Sequence, residues 1–482
     1  MRPTPLSTRL ARLAEADPDR PAVTCDGTTL TRSQFERRGN VLANAYAELG
    51  VRPGSLVTIG LPNGIEFLLA AVATWKLGAT PQPVPHRLPA VELDAVIALA
   101  DPALVVGLTA ADRRCVPADF APSASDTPPP PAIAPSWKAP ASGGSTGRPK
   151  IVVSTQPACA EVLDEYAELF AMPRDGVHLV AGPLHHNAPF MMSAAALFTG
   201  SHVVVLAKFE PRELLRLIEE YRVQWVFLVP TMMHRVWRLP AAERSTVDIS
   251  SLLVVLHGAA PCAPWLKRAW LDWLGPRRVV ELYASTEAQA GCLITGEEWL
   301  AHPGSVGKVA RGEIRVLDEQ HREVGPDEVG EIWMRPSPGD PATYRYLGDA
   351  ATALDGGWES QGDLGRLDAE GYLHLVDRKP DMILVGGANV YPAEIEAALD
   401  EHPSVLSSCV VGLPDEEYGN VVHAVVQTTE PLDVDALLAH LRDRLAPHKL
   451  PRSFERVDHP LRDDAGKVRR ARVREQRLAG PR

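Results

Sequence analysis

Between Val177 and Glu287 short apolar strands alternate with helical stretches, and this alternation restricts the fold more than any other feature of the chain. A strand at Val177 to Ala181 leads into GPLHHNAPF (residues 182–190). An apolar helix from Met191, a strand at His202 to Leu206 and a helix at Pro211 to Tyr221 follow. Three further strands come next. Trp225 to Val229 runs into Pro230 and Thr231, Leu252 to Leu256 into His257-Gly258-Ala259-Ala260-Pro261, and Arg278 to Leu282 into Tyr283-Ala284-Ser285-Thr286-Glu287. Continuous apolar runs of this length suit strands buried on both faces, and their alternation with helices predicts an α/β fold with parallel strands. In open α/β sheets ligands bind outside the carboxyl ends of strands, so three small or polar strand tips predict one shared crevice.

The same rhythm precedes this region, with a strand at Ser55 to Leu61, a helix at Asn63 to Leu77 and a strand at Ala79 to Val84. From Gly304 the texture changes to short strands with Gly, Asp and Glu turns, which predicts a small β-rich subdomain over 304–378. Residues 382–482 read as β, α, β, β, α, β, enough for a small α+β domain of their own. The expected division is an N-terminal domain over 1–378, a junction at 379–381 and a C-terminal domain over 382–482.

The glycine-rich stretch SGGSTGRPK, Ser142 to Lys150, carries the clearest chemistry. Its glycines let backbone N–H groups approach an anion, its hydroxyls can donate, and Lys150 adds a charge on a flexible stem. A polyphosphate is the natural guest; a plain Gly/Ser turn is the alternative on composition alone. A P-loop of the form GxxxxGK[ST] is excluded, because Pro149 precedes the lysine and Ile151 replaces the cation-binding hydroxyl.

Composition narrows the classes. The 482 residues carry a net charge of −12, which disfavours general affinity for nucleic acid or anionic membrane. Six cysteines stand singly with no CxxC pair, arguing for reduced thiols in a cytoplasmic protein and against structural zinc. No signal-peptide pattern and no apolar run of membrane-spanning length is present, so a soluble protein is expected, monomer or homodimer.

SGGSTGRPK, YASTE, QGDLGRLDAEGYLHLVDRKPD, GGANVYPAEIE and AGKVRR occur in the order and rough spacing of the adenylate-forming superfamily. The chain resembles that superfamily's acyl-CoA ligases over essentially its whole length. The resemblance implies an acid–thiol ligase that joins a carboxylic acid to AMP, expels pyrophosphate and passes the acyl group to the thiol of coenzyme A. ATP, Mg²⁺ and coenzyme A are its implied small molecules. It further implies that Ser142, Gly143, Gly144, Ser145, Thr146, Gly147 and Lys150 hold the β- and γ-phosphates. Glu287 would be the Mg²⁺ ligand, Thr286 a phosphate contact, and Tyr283, with Ala284 and Ser285 after it, would lie against the adenine. Gly258, Ala259 and Ala260 would let adenine lie flat, while Asp363 and Arg378 would take the ribose hydroxyls. Lys467 would bridge the substrate carboxylate and the α-phosphate. In the family the C-terminal domain is mobile: it turns about a hinge, here Pro380, and brings Gly386 and Gly387 to the thiol's entry.

For the acid, His186 occupies the family's gating position beside the carboxylate and His185 the usual aromatic place; a core histidine is the plain alternative for each. Trp225, Thr231, Met232 and Gly258 are expected at the substrate pocket. No aspartate is placed to clamp an ammonium, so amino-acid activation is disfavoured. GPLHHNAPF and VPTMMHR resemble segments of ligases for bulky acids of the bile-acid type, which implies a polycyclic, terpenoid or aryl-alkyl carboxylate. Ala284, Gln361, Pro380, Asp463 and Asp464 depart from the family's common residues. They leave open a ligase confined to thioesterification of a supplied acyl adenylate. An enzyme that loads a carrier protein and a non-enzymatic nucleotide or acyl-adenylate sensor also stay open.

Overall fold

The computed structural model describes residues 3–143, 149–428, 430–463 and 466–479. Gly144, Ser145, Thr146 and Gly147 of the expected phosphate loop lie outside the described residues, as does Asp464, and so do the side chains of Ser142 and Gly143.

The fold is mixed α/β, with a large N-terminal part and a small α+β C-terminal part. One long sheet organises the larger part. Its parallel half runs Pro21–Cys25, His202–Val205, Val177–Val180, Trp225–Leu228, Val254–Gly258, Val279–Ala284. All four residues of Trp225–Leu228 are buried, as expected for a strand covered on both faces. Beyond Val279–Ala284 the sheet continues antiparallel through Gly291–Thr295, Ser305–Arg311, Leu373–Arg378, Trp358–Leu367, Gly330–Arg335 and Glu313–Leu317. The β-rich stretch is thus hydrogen-bonded onto the parallel half, with a small apolar cluster of its own around Val316, Ile332, Met334 and Leu373.

A second parallel sheet orders Thr80–Pro83, Leu56–Ile59, Leu104–Val106 and Cys115–Val116. A third joins Tyr344–Leu347, Pro149–Ser154 and Ala141–Gly143 in antiparallel register. This small sheet matters for the site because it sets Tyr346 opposite Val152, two residues past Lys150.

The helix expected from Met191 begins four residues earlier, at Asn187, and runs to Phe198. Pro189 falls in its first turn, where the missing N–H would have had no partner within the helix. In the C-terminal part the hairpin Ile383–Val385 and Ala388–Val390 precedes the helix Pro392–Glu401. The strands Val405–Asp415, Gly419–Thr428 and Ser453–Val457 form its sheet, over a core including Ile395, Leu399, Val410 and Leu437. A final helix, Arg470–Leu478, has no counterpart in the sequence pattern. It has no buried residue and is held instead by arginines: Arg470 donates to the Val410 carbonyl, Arg474 to that of Gly412, and Arg477 pairs with Glu455.

Candidate active site

Asp363 and Arg378 meet because the strands Trp358–Leu367 and Leu373–Arg378 pair them directly. Arg378 Nε donates to Asp363 Oδ1 at 3.0 Å, and the Tyr283 hydroxyl, at the tip of Val279–Ala284, donates to Oδ2 at 2.8 Å. A second donor of Arg378 reaches the Gln361 carbonyl at 2.6 Å. Burial, then the neighbouring Asp363 carboxylate, pushes the Tyr283 hydroxyl well above its usual ionisation range, so it stays a donor. The arrangement leaves a carboxylate oriented by two donors on an interior strand of the sheet, a geometry that suits a vicinal diol.

Glu287, 5% exposed, anchors a second cluster. The Tyr346 hydroxyl donates to its Oε1 at 2.6 Å, and Lys150 Nζ lies 3.4 Å from the same oxygen while donating to the tyrosine hydroxyl at 2.8 Å. The Glu287 carbonyl accepts from the Thr343 hydroxyl at 2.6 Å. Desolvation and the adjoining Glu287 raise the Tyr346 hydroxyl above its usual range. Tyr344 packs edge-on against Tyr346 and donates to Glu359, which also accepts from Gln289.

Between the clusters lies a cradle. Gly258 ends Val254–Gly258, and a Cβ there would stand 2.4 Å from the Leu282 carbonyl oxygen, so only glycine fits. The exposed Ala259 has φ +69°, a left-handed conformation of the kind that clusters at functional sites. Around it Ala284 is exposed and Ala260 and Thr286 are partly so, while the Ser285 hydroxyl is buried with no hydrogen-bond partner among the described residues. Glycine at 258 is required by the close approach of the neighbouring strand, and it sets the exposed Ala259 beside an unpaired buried hydroxyl. Among the described residues no group of three His, Cys, Asp or Glu side chains could hold a metal. Glu287 alone fits a hard cation only if other oxygens complete its shell, as the phosphates of a bound nucleotide would.

On the other side stand the histidines. His185 and His186 have ring centroids 4.3 Å apart just ahead of the helix Asn187–Phe198. Burial first, and for His185 also the neighbouring His186 and His86, brings His185 down to about 3 and His186 to about 4, with the charge of Lys467 acting in the same direction on both and Asp463 opposing it at His185. Lys467 is itself exposed. Its turn is tight: Lys467 N donates to Asp463 Oδ1, Asp463 N to the Lys467 carbonyl, and Gly466 N to the Asp463 carbonyl, each at 2.9 Å. Gly466 has φ +75°, and a Cβ on it would lie 2.7 Å from Thr231 Oγ1. This turn is seated directly on the residues after Val229. Met232 is buried with its terminal methyl near Gly182, at the floor of the same side.

Trp225 does not belong there. It starts its strand rather than ending it, is fully buried, donates its indole N–H to the Phe170 carbonyl at 2.9 Å and stacks on His178. Gly386 and Gly387 form the exposed turn of the hairpin that opens the C-terminal part, with positive φ at both and Gly386 N donating to the Tyr418 carbonyl. Pro380 sits in the turn between Arg378 and Ile383, where Lys379 N donates to the Gly362 carbonyl and Arg470 pairs with Asp381 at 3.1 Å.

Residues 10–339 match the AMP-binding enzyme family and residues 394–467 the AMP-binding enzyme C-terminal domain. The chain belongs to the AMP-binding enzyme family. A feruloyl-CoA synthase of Amycolatopsis sp is 34% identical over 98% of this chain and 99% of its own. A fatty acid–[acyl-carrier-protein] ligase of Streptomyces coeruleorubidus is 29% identical over 96% of the chain and 94% of its own. Among solved structures, the o-succinylbenzoate coenzyme A synthetase of Bacillus subtilis with ATP and magnesium superposes with a TM-score of 0.81 at 25% identity, covering 97% of this chain and 98% of that one.

This AMP-binding enzyme is an adenylate-forming acid–thiol ligase. Its clusters also contain residues outside the motifs, Tyr346, Tyr344 and Glu359, and a buried Lys138 donates to Asn187 at the start of the helix that follows the histidines. The signal for the tyrosines is the YRY alternation in a strand beside the glycine loop. For Lys138 it is a lone lysine in an otherwise apolar approach to that loop.

Proposed function

We propose that this protein is an acyl-CoA ligase for a bulky apolar carboxylic acid, with Glu287, Asp363, Arg378 and Tyr283 receiving ATP and Lys467 serving the first half-reaction. The observation that carries the reading is the Asp363 carboxylate held by Arg378 and Tyr283; the packing of the turn that bears Lys467 on Thr231 supports it. In that step a carboxylate oxygen attacks the α-phosphorus, the new P–O bond forms, and the bond to pyrophosphate breaks. Lys467 neutralises the approaching anions, worth about 10² or more in rate for one preorganised charge. Magnesium held by Glu287 with the phosphates would offset their charge. Neutral His186 can donate or accept without repelling Lys467.

In the second step the thiol attacks the acyl carbonyl and AMP leaves. Lys467 withdraws, the C-terminal domain over 382–482 turns about 379–381, and Gly386 and Gly387 move to the thiol's path. The named acid of the feruloyl-CoA synthase relative and the apolar floor near Met232 favour an aryl-alkyl or polycyclic acid, with coenzyme A as acceptor. The cytoplasm is the compartment consistent with six free cysteines. The test is to follow pyrophosphate release and CoA-ester formation separately across a panel of such acids. Acid-dependent release of pyrophosphate together with free CoA ester is expected. Ester from supplied acyl adenylate without pyrophosphate release would reduce the protein to thioesterification, and product only with a carrier protein present would replace coenzyme A as acceptor.

A further inference from the structure

Lys138 is 3% exposed, four residues before the glycine loop. Its backbone is pinned: the Lys138 carbonyl accepts from Ser154 N at 3.1 Å and from the Ser136 hydroxyl at 2.8 Å, and Ala139 N donates to the Pro81 carbonyl at 3.0 Å. The side chain therefore projects from a fixed strand-like segment, unlike that of Lys467. An ammonium has three N–H donors. Among the described residues this one donates only to Asn187 Oδ1, with the Trp137 ring at 4.9 Å, and no carboxylate of theirs lies within ion-pair distance. Glu287 is close enough for its charge to act on the ammonium, but its Oε1 is already taken by Tyr346 and Lys150.

Asn187 is moreover the first residue of a twelve-residue helix whose amino end carries no side-chain cap. A helix N-terminus carries partial positive charge and favours anions, so a buried ammonium placed against it is repelled unless a negative group lies between them. Burial depresses Lys138 to about 7, the cost of a charge held without its counterion. A buried ammonium with one hydrogen-bond acceptor among the described residues meets an uncapped helix end, and both call for an anion there.

We propose that Lys138 is a second, fixed cation of the adenylation centre, its ammonium donating to an anionic oxygen on the pyrophosphate half of ATP. This rests on the adenylating role argued above and adds a residue to it. Lys467 arrives and leaves with the C-terminal part; Lys138 stays, and holds the leaving group where the glycine loop begins.

The experiment measures binding of ATP·Mg²⁺, pyrophosphate·Mg²⁺ and AMP to the full chain and to Lys138→Met, with melting temperature alongside. Loss of one hydrogen bond from a charged donor predicts about 10- to 100-fold weaker binding of ATP and pyrophosphate, with AMP affinity kept. Because the lost charge was incompletely paired, the melting temperature should hold or rise. Should Lys138→Met fail to fold, Lys138→Met with Asn187→Leu removes donor and acceptor together and carries the same measurement. Equal ATP affinity in variant and parent overturns the proposal and leaves the adenylating reading intact. Equal weakening of AMP also overturns it, placing the contact elsewhere on the nucleotide. A parent protein that binds neither ATP nor pyrophosphate removes both the reading and the proposal.

Discussion

On one side, two clusters, Asp363 with Arg378 and Tyr283, and Glu287 with Tyr346 and Lys150, are each held by hydrogen bonds of 2.6 to 3.0 Å. On the other side, His185 and His186 are half-buried and neutral, Met232 is buried and apolar, and the charges that act on the histidines, Asp463 and Lys467, belong to a turn from the other end of the chain. The two sides answer different demands. A triphosphate brings several negative charges and a ribose diol, which need preplaced donors and acceptors; a bulky apolar acid brings one charge, which a single movable lysine can meet. On the proposed reading, the difference teaches that nucleotide recognition would be built into the sheet, whereas the charge for the acid would be delivered by a domain that can leave.

Glu287→Gln is expected to be the most damaging change on the nucleotide side, lowering pyrophosphate release by about 10² to 10³. Lys467→Ala should cost about 10² in the same assay but much less when acyl adenylate is supplied. Comparing the two variants in both half-reactions sharpens the contrast between fixed and delivered charge. If Lys467→Ala slows thioesterification as much as pyrophosphate release, the lysine is a fixed member of the site and the contrast fails.

Asp363→Asn is the next test. Both Asp363 and Arg378 are partly exposed, with side chains 24% and 55% accessible, and such pairs add little stability. The melting temperature should therefore stay within a degree or two, roughly the scale of a surface change. The KM for ATP should rise about tenfold, one charge-assisted contact's worth. A large drop in melting temperature with an unchanged KM would mean that the pair holds two adjacent strands together rather than the ribose.

How much of this is legible in the sequence follows from the range of the contacts. Asp363 and Arg378 sit in a recognisable order along the chain, and their meeting needs only two adjacent strands to pair. Tyr346 meets Lys150 and Glu287 because Tyr344–Leu347 crosses to pair with Pro149–Ser154, nearly two hundred residues away. No local pattern encodes such a crossing. Trp225 is expected at the pocket only from the family's layout, yet it stands at the start of its strand, away from the tip. The helix Arg470–Leu478 escapes because periodic apolar residues are what reveal a helix, and this one docks through guanidinium groups. Lys138 escapes for the opposite reason: its neighbours Trp137 and Ala139 are fully buried, so the segment reads as ordinary core.

The smallest expected effect on activity concerns the histidines, and it breaks the contrast between the two sides most directly if it fails. His186 at about 4 and His185 at about 3 lie far below the usual 6.5, with burial the main cause. Neither should gain a proton in the folded protein between about pH 5.5 and 8, so kcat/KM for the acid should show no inflection near 6.5 that disappears in His186→Asn. Stability behaves differently. In the unfolded chain these histidines, with His178, His202 and His234 similarly lowered by burial, take up protons as pH falls through 6.5. A depressed folded value means that the unfolded state binds more protons in this window, so stability is full above about 6.5 and is lost as pH falls toward 4. Each such group contributes about 1.4 kcal/mol per pH unit below its unfolded value. Melting temperature measured from about pH 8 to 5 should therefore be flat at first and then fall, while kcat/KM at a temperature well below melting stays level. An inflection in kcat/KM near 6.5 that His186→Asn removes would put the histidine pair in water, and the acid side would then be no less polar than the nucleotide side.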